Sequence, residues 1–126
     1  MAVPPLSSGL HAFDLESSPS PDGKGRVLLV TIRREFDFGN LHQDWAVSVV
    51  SQAPGPFVEV TLDLSQCGLV SSTFFAGLLQ LRGHYCPKGS SPLRLRHPDP
   101  RVLRNLAIMR LDSLFFIEPR PKPVVV

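Results

Sequence analysis

Apolar positions along this chain change period several times, and each change marks an element. "LHAFDLE", residues 10–16, alternates with His11, Phe13 and Leu15 on one side, the pattern of a strand. "SSPSPDGKG", 17–25, is dense in turn formers and leads to a second strand, "RVLLVTIRR" at 26–34. The pair predicts a hairpin with a generous loop. Asn40 then precedes "LHQDWAVSVV", in which Leu41, Trp45, Val49 and Val50 recur at helical spacing, so a helix is expected over 41–52. "APGP" at 53–56 ends it.

The period returns to two in "FVEVTLDL", 57–64, with Val58, Val60, Leu62 and Leu64 on one face and Glu59, Thr61 and Asp63 on the other. A helix follows from about 73 to 84. If Ser72 is its N-cap, Phe74, Leu78, Leu81 and Tyr85 stack on one line, and Phe75 and Leu79 widen the apolar arc to about 160°. Arg82 falls inside that arc, so its stem must snorkel or the helix must loosen there. "PKGSSP" breaks the chain, and "LRLRH", 93–97, reads as a short strand. Asp99 then offers an N-cap with Pro100 at the first helical position, ahead of a stripe of Val102, Leu103, Leu106, Ala107 and Met109. "SLFFIE", 113–118, reads as a last strand.

From residue 57 onward the order is strand, helix, strand, helix, strand, which requires parallel strands with right-handed crossovers. The expected fold is therefore α/β: one domain over residues 10–118, a mixed sheet with a parallel βαβαβ core and an N-terminal antiparallel hairpin, covered by helices. Residues 1–9 form an N-terminal extension, and 119–126, "PRPKPVVV", a proline-containing tail.

Composition narrows the function classes. With 126 residues and 43% hydrophobic residues the chain can bury a core, and its apolar runs fall short of the roughly 20 residues a membrane span needs. "MAVPPLSSGL" lacks the basic start and apolar centre of a signal peptide, so a cytoplasmic location is expected. Cys67 and Cys86 do not make a disulfide framework, and His11, His42, His84 and His97 supply no paired metal-ligand spacing. No metal or other cofactor is expected. Residues 94–122 carry seven basic groups against three acidic ones, and the remainder six basic against eight acidic. That asymmetry can steer an acidic partner, but a solvated polar face is the preferred reading. Arg94, Arg96, Arg101 and Arg104 have no aromatic residues interleaved, so nucleic acid is not an expected partner. Nor is an enzyme: there is no Gly-rich phosphate loop, no nucleophile with its base and no suggestive carboxylate pair.

What remains is the hydroxyl run Ser71, Ser72, Thr73 at the start of the second helix. A helix begins with unpaired N–H groups and a partial positive charge, and one capping hydroxyl is worth about 1 kcal/mol over alanine. That accounts for one hydroxyl. The same amides and dipole would also hold a phosphoryl group, which adds about −1.5 to −2 of charge and repels a partner suited to a neutral hydroxyl. Cap and switch both remain open on spacing alone.

"VTLDLSQCGLVSSTFFAGLLQL" resembles the core of STAS domains, the fold of bacterial anti-sigma factor antagonists and of sulfate-transporter cytoplasmic domains. "LRLRHPDPRVLRNLAIMRLDSLFFI" resembles the strand, proline-marked turn, helix and ending of the same family. By that resemblance Ser72 falls on the phosphoacceptor serine, with Thr73 and Ser71 as alternates. Ser71 stands where the family has aspartate, and Phe74-Phe75 where it has Gly-Leu. Asp63 matches the aspartate of the "LDLS" strand end and is expected to anchor the following turn. Asp63, Ser71, Ser72, Thr73 and Phe74 are the expected partner-facing residues, with core packing as the other reading of Phe74. The implied function is that of an anti-anti-sigma factor, a signal-transduction phosphoprotein acting on transcription. It would bind an anti-sigma factor with serine kinase activity and be released on phosphorylation. The alternative is a STAS scaffold that never switches, such as an accessory subunit of a lipid transporter.

Overall fold

The hairpin expected at the N-terminus is present, with a tighter turn than its loop residues suggest. Strand β1 spans Phe13–Pro19 and β2 spans Arg26–Ile32, paired antiparallel from Phe13 opposite Ile32 to Pro19 opposite Arg26. The turn is closed by Ser20 N–H donating to Gly25 O at 2.8 Å, and Gly23 supplies the positive φ of 73° that it requires. Within it the Asp22 carboxylate accepts from the Ser20 hydroxyl at 2.5 Å and from Lys24 N–H at 2.9 Å. Those two bonds stabilise the charged form and hold the Asp22 carboxyl below its ordinary range.

The computed structural model describes residues 13–33, 45–66, 72–87 and 92–119. After the hairpin come α1 (Trp45–Gln52), β3 (Glu59–Asp63), α2 (Ser72–Tyr85), β4 (Arg94–Arg96), α3 (Pro100–Ile108), a 3-10 turn (Asp112–Leu114) and β5 (Phe116–Glu118). β2, β3, β4 and β5 pair parallel in that order, and the sheet runs β1-β2-β3-β4-β5. This is the α/β fold expected, a mixed sheet with the antiparallel hairpin at one edge. Residues 1–9, His11 and the tail beyond Pro119 lie outside the described residues, as does Leu41 of the first predicted helix.

Strand order that follows chain order has a consequence. Each crossover steps the same way along the sheet, and right-handed crossovers then put every connecting helix on one face. Leu28, Val30 and Ile32 of β2, Val60 and Leu62 of β3 and Leu95 of β4 join Trp45, Val49, Phe74, Leu78, Leu81, Val102 and Leu106 of the helices in one core cluster. The helices thus cover one side. The opposite face carries the alternate positions of every strand and no described helix.

Most differences from expectation trace to packing that periodicity cannot see. Val58 is 51% exposed, because the parallel ladder starts only at Val27 opposite Glu59, leaving Val58 on the lead-in. Thr61 keeps its place on the polar face yet is 4% exposed, set mid-row between Leu29 and Arg94 on the central strand. Leu79 is 40% exposed: α2 is turned so that Gly77, next to Phe74 and Leu78, meets the Trp45 indole. Arg82 is half-buried, and its Nε–H donates to Leu114 O at 3.2 Å. In α3, Asp99 caps as expected, accepting from Arg101 N–H at 2.8 Å with Pro100 next. Only Val102 and Leu106 of its stripe are fully buried; Ala107 and Met109 are exposed, Met109 lying at the cap beyond the last helical residue. The predicted strand 113–118 divides into the 3-10 turn and the short β5.

Candidate functional site

Asp63, Arg96 and Glu118 are the last residues of β3, β4 and β5 and lie in one register row with Thr31 and Asp14. The chain leaves the centre of the sheet at Asp63, and α2 spans Ser72–Tyr85. The candidate site is therefore at the carboxyl rim of the parallel strands, a place where open α/β sheets commonly present their binding residues.

Asp63 does what its strand-end position implies. Its Oδ1 accepts from Ser65 N–H at 2.9 Å, a two-residue turn that fixes the direction of departure. Beside it, Leu64 N–H donates to Arg96 O at 2.9 Å and His97 N–H to Glu118 O at 2.7 Å, so the ends of three strands are tied together. His97 holds a left-handed φ of 55°, which histidine adopts more readily than most residues. Arg33 forks onto Asp14 at 2.7 and 3.0 Å at one side of the rim. Arg96 meets Glu118 at 3.4 Å at the other.

Helix α2 begins at Ser72, one residue earlier than its predicted span, which makes Ser72 the first helical residue rather than the cap. Ser71 lies outside the described residues. Thr73 is half-buried, and its carbonyl accepts from Trp45 Nε1–H at 3.3 Å, fastening the first turn of α2 to the first residue of α1. No acidic side chain lies in that first turn, while Arg82 and His84 lie in the last. The positive end of the helix dipole thus has no carboxylate from its own first turn to offset it, and the negative end has basic company.

Phe74 corrects an expectation. It is 0% exposed and stacks on the Trp45 ring at 5.4 Å between centroids and 6° between planes. Phe75 meets it edge-on at 5.6 Å. Phe74 is therefore a core residue and cannot touch a partner in the folded domain. Its apolar neighbours at helical spacing were the signal for this reading. What sequence reasoning missed is Gly77, where an added Cβ would overlap the Trp45 indole; a glycine within an apolar helix was the available cue.

Among the described residues no group of His, Cys, Asp and Glu is arranged to hold a metal ion, and no helix is long and apolar enough to cross a membrane. The Cys86 thiol is half-buried, and burial pushes its pKa up while Arg82 opposes the shift, so it is not set up as a nucleophile.

No family model matches the sequence, and no curated protein matches it either. Among solved structures it is similar to the NMR structure of the protein TM1081. The TM-score is 0.63, with 18% sequence identity, over 94% of this chain and 90% of that one. At that identity the two share a fold. The likeness carries no further.

Proposed function

We propose that this domain is a regulatory protein-binding module of the anti-sigma factor antagonist type, switched by phosphorylation at Ser72 and working in the cytoplasm. The observation that carries the reading is the placement of Ser72 as the first residue of a 14-residue helix that starts from the carboxyl rim of the sheet with no acidic side chain in its first turn. A phosphoryl group there lies at the positive end of the helix dipole with no carboxylate in the first turn, an arrangement in which the fold tolerates it. In this reading the added charge alters the face on which a partner docks.

In this reading the unmodified domain binds an anti-sigma factor with serine kinase activity. The Ser72 hydroxyl oxygen attacks the γ-phosphorus of the partner's ATP, the bond to the β-phosphate oxygen breaks, ADP leaves, and the hydroxyl proton passes to a base on the partner. This chain supplies only the acceptor. Phe74 and Phe75, standing where the resembled family has Gly-Leu, are turned into the core, so their bulk does not block approach. Ser71 in place of aspartate removes one negative charge beside the acceptor, so the cognate kinase must not depend on that carboxylate.

The test compares Ser72→Ala and Ser72→Asp with the parent chain, as bait for an anti-sigma kinase and as substrate with ATP and magnesium. Support is one phosphate added to the parent, none to Ser72→Ala, and capture of the kinase by Ser72→Ala but not by Ser72→Asp. Equal capture by both variants with no phosphate incorporated overturns the switch and leaves the non-switching scaffold.

A further inference from the structure

The face of the sheet turned away from the helices is a second surface, and its chemistry differs from that of the rim. Register places Asp14, Glu16, Glu59, Asp63 and Glu118 on it with Arg94 and Arg96, and Arg33, just past β2, joins them through Asp14. Five carboxylates thus face three guanidiniums, on a chain whose formal net charge is +2. Much of this charge is matched in place: Arg33 forks onto Asp14, and Arg94 and Arg96 meet Glu118 at 3.0 and 3.4 Å. Glu16 is in no ion pair among the described residues, and Glu59 has only a 3.9 Å approach from Arg94. The unspent negative charge therefore sits on β1 and β3, either side of β2.

Between those two carboxylates lies an open groove of about 230 Å³, with Val27 and Leu29 of β2 and Thr61 of β3 along it, Glu16, Ser18 and Glu59 at its sides, and Arg96, paired with Glu118, at its β4 end. Val27 and Leu29 are half-buried apolar residues on a face with no described helix over it. Phe116, 46% exposed, is a separate apolar spot on β5, beyond Thr61 and Arg94 in the same register row and under the Arg94 guanidinium, 4.3 Å from its ring centroid. A sheet face with an apolar strip is ordinarily closed by a helical layer. A second copy of this chain would bring the same excess of carboxylates against it, and nucleic acid would be repelled.

We propose that this face docks a basic amphipathic helix of a partner protein. A Lys or Arg of that helix lies along Val27 and Leu29, its charged head between Glu16 and Glu59, and its apolar neighbours cover the strip. The groove centres on the first halves of β2 and β3 and reaches the rim row only at Arg96, whereas Ser72 opens α2 beyond the end of β3, so the surface is separate from the switch.

The probe is a labelled 14-residue amphipathic helical peptide with leucines on one face and lysines beside them, titrated into the full chain at low and at physiological salt. Saturable binding is expected that weakens with salt, with amide shifts in two-dimensional NMR on β1, β2 and β3. It should fall about tenfold or more in Glu16→Lys/Glu59→Lys, and less in Glu16→Gln/Glu59→Gln. Asp112→Lys, on the exposed 3-10 turn, and Ser72→Asp should leave it unchanged. An acidic peptide of the same apolar pattern should not bind. Absence of saturable binding, equal loss in Asp112→Lys, or shifts confined to the helices would overturn the proposal. Self-association altered by the Glu16/Glu59 variants would give the face to a second copy instead. Binding seen only after removal of residues 120–126 would give it to the chain's own basic tail.

Discussion

The contact between Gly77 and Trp45 makes a prediction whose sign runs against helix propensity. Glycine in a helix interior ordinarily costs about 1 kcal/mol relative to alanine, so Gly→Ala within α2 should stabilise. At Gly77 an added Cβ would overlap the Nε1, Cε2 and Cζ2 atoms of Trp45. The indole cannot retreat freely. It is 1% exposed, stacked on Phe74, and its N–H is bonded to Thr73 O. Restoring ordinary contact requires the ring to move by roughly an ångström or more, given carbon contacts near 3.5–4.0 Å. Overpacking of this kind costs about 1–3 kcal/mol, and loss of the indole hydrogen bond about 1 kcal/mol more. Against a propensity gain of about 1 kcal/mol, Gly77→Ala should destabilise by about 1–3 kcal/mol, or roughly 5–10 °C in melting temperature for a domain of this size. Gly83 is the internal control. It lies in the same helix, and an added Cβ there meets nothing within 4 Å, so Gly83→Ala should stabilise by about 0.5–1 kcal/mol. Trp45 is the only tryptophan, so urea unfolding followed by its emission reads both variants at the site itself. If Gly77→Ala raises the midpoint as Gly83→Ala does, the packing argument is wrong.

Tyr85 offers a second test, since it is the only tyrosine and its hydroxyl donates to Ala53 O at 2.5 Å. Burial pushes its pKa up to about 12 from the ordinary 10.0, so phenolate absorbance should titrate near the higher value in the folded chain and near the lower in urea. The unfolded state loses its proton first. The stability Tyr85 contributes is therefore complete below pH 10.0 and lost as pH rises toward about 12, and Tyr85→Phe should remove that part of the alkaline slope. Asp99→Ala removes the cap of α3 and should cost about 1 kcal/mol in urea unfolding, whereas Asp99→Asn should be nearly neutral. An Asn variant as unstable as the Ala variant would mean that the Asp99–Arg101 ion pair at 3.0 Å, and not the cap, carries the effect.

The architecture was legible because its elements announce themselves locally. The two-residue period of Val60, Leu62 and Leu64, the Asp99-Pro100 start and the line of Phe74, Leu78, Leu81 and Tyr85 each reflect one face meeting one core. What escaped was decided between elements. Leu79 is exposed because Trp45 takes the space over Gly77, and no period within α2 records where an indole from α1 will lie. Thr61 is covered because of its neighbours across the sheet, which depend on register. At the candidate site, the turn-anchoring role of Asp63 was an expectation from the "LDLS" resemblance, and its carboxylate does accept from Ser65 N–H. The inward course of Phe74 was one of two open readings until its stack on Trp45 decided it.

Register also fixes where each end of the domain emerges. β1 runs opposite to its neighbours, so Phe13, paired with Ile32, enters at the same rim from which Glu118 departs, and Ser72 begins its helix beyond that rim. The hairpin bend from Ser20 to Gly25 lies at the far end. A group joined directly before Phe13 or after Glu118 is consequently delivered beside the rim beyond which α2 begins. Labels for studies of the Ser72 switch are therefore better placed at Asp22–Lys24, and labels for studies of the groove beside Ser18 and Val27 are better placed at the opposite rim.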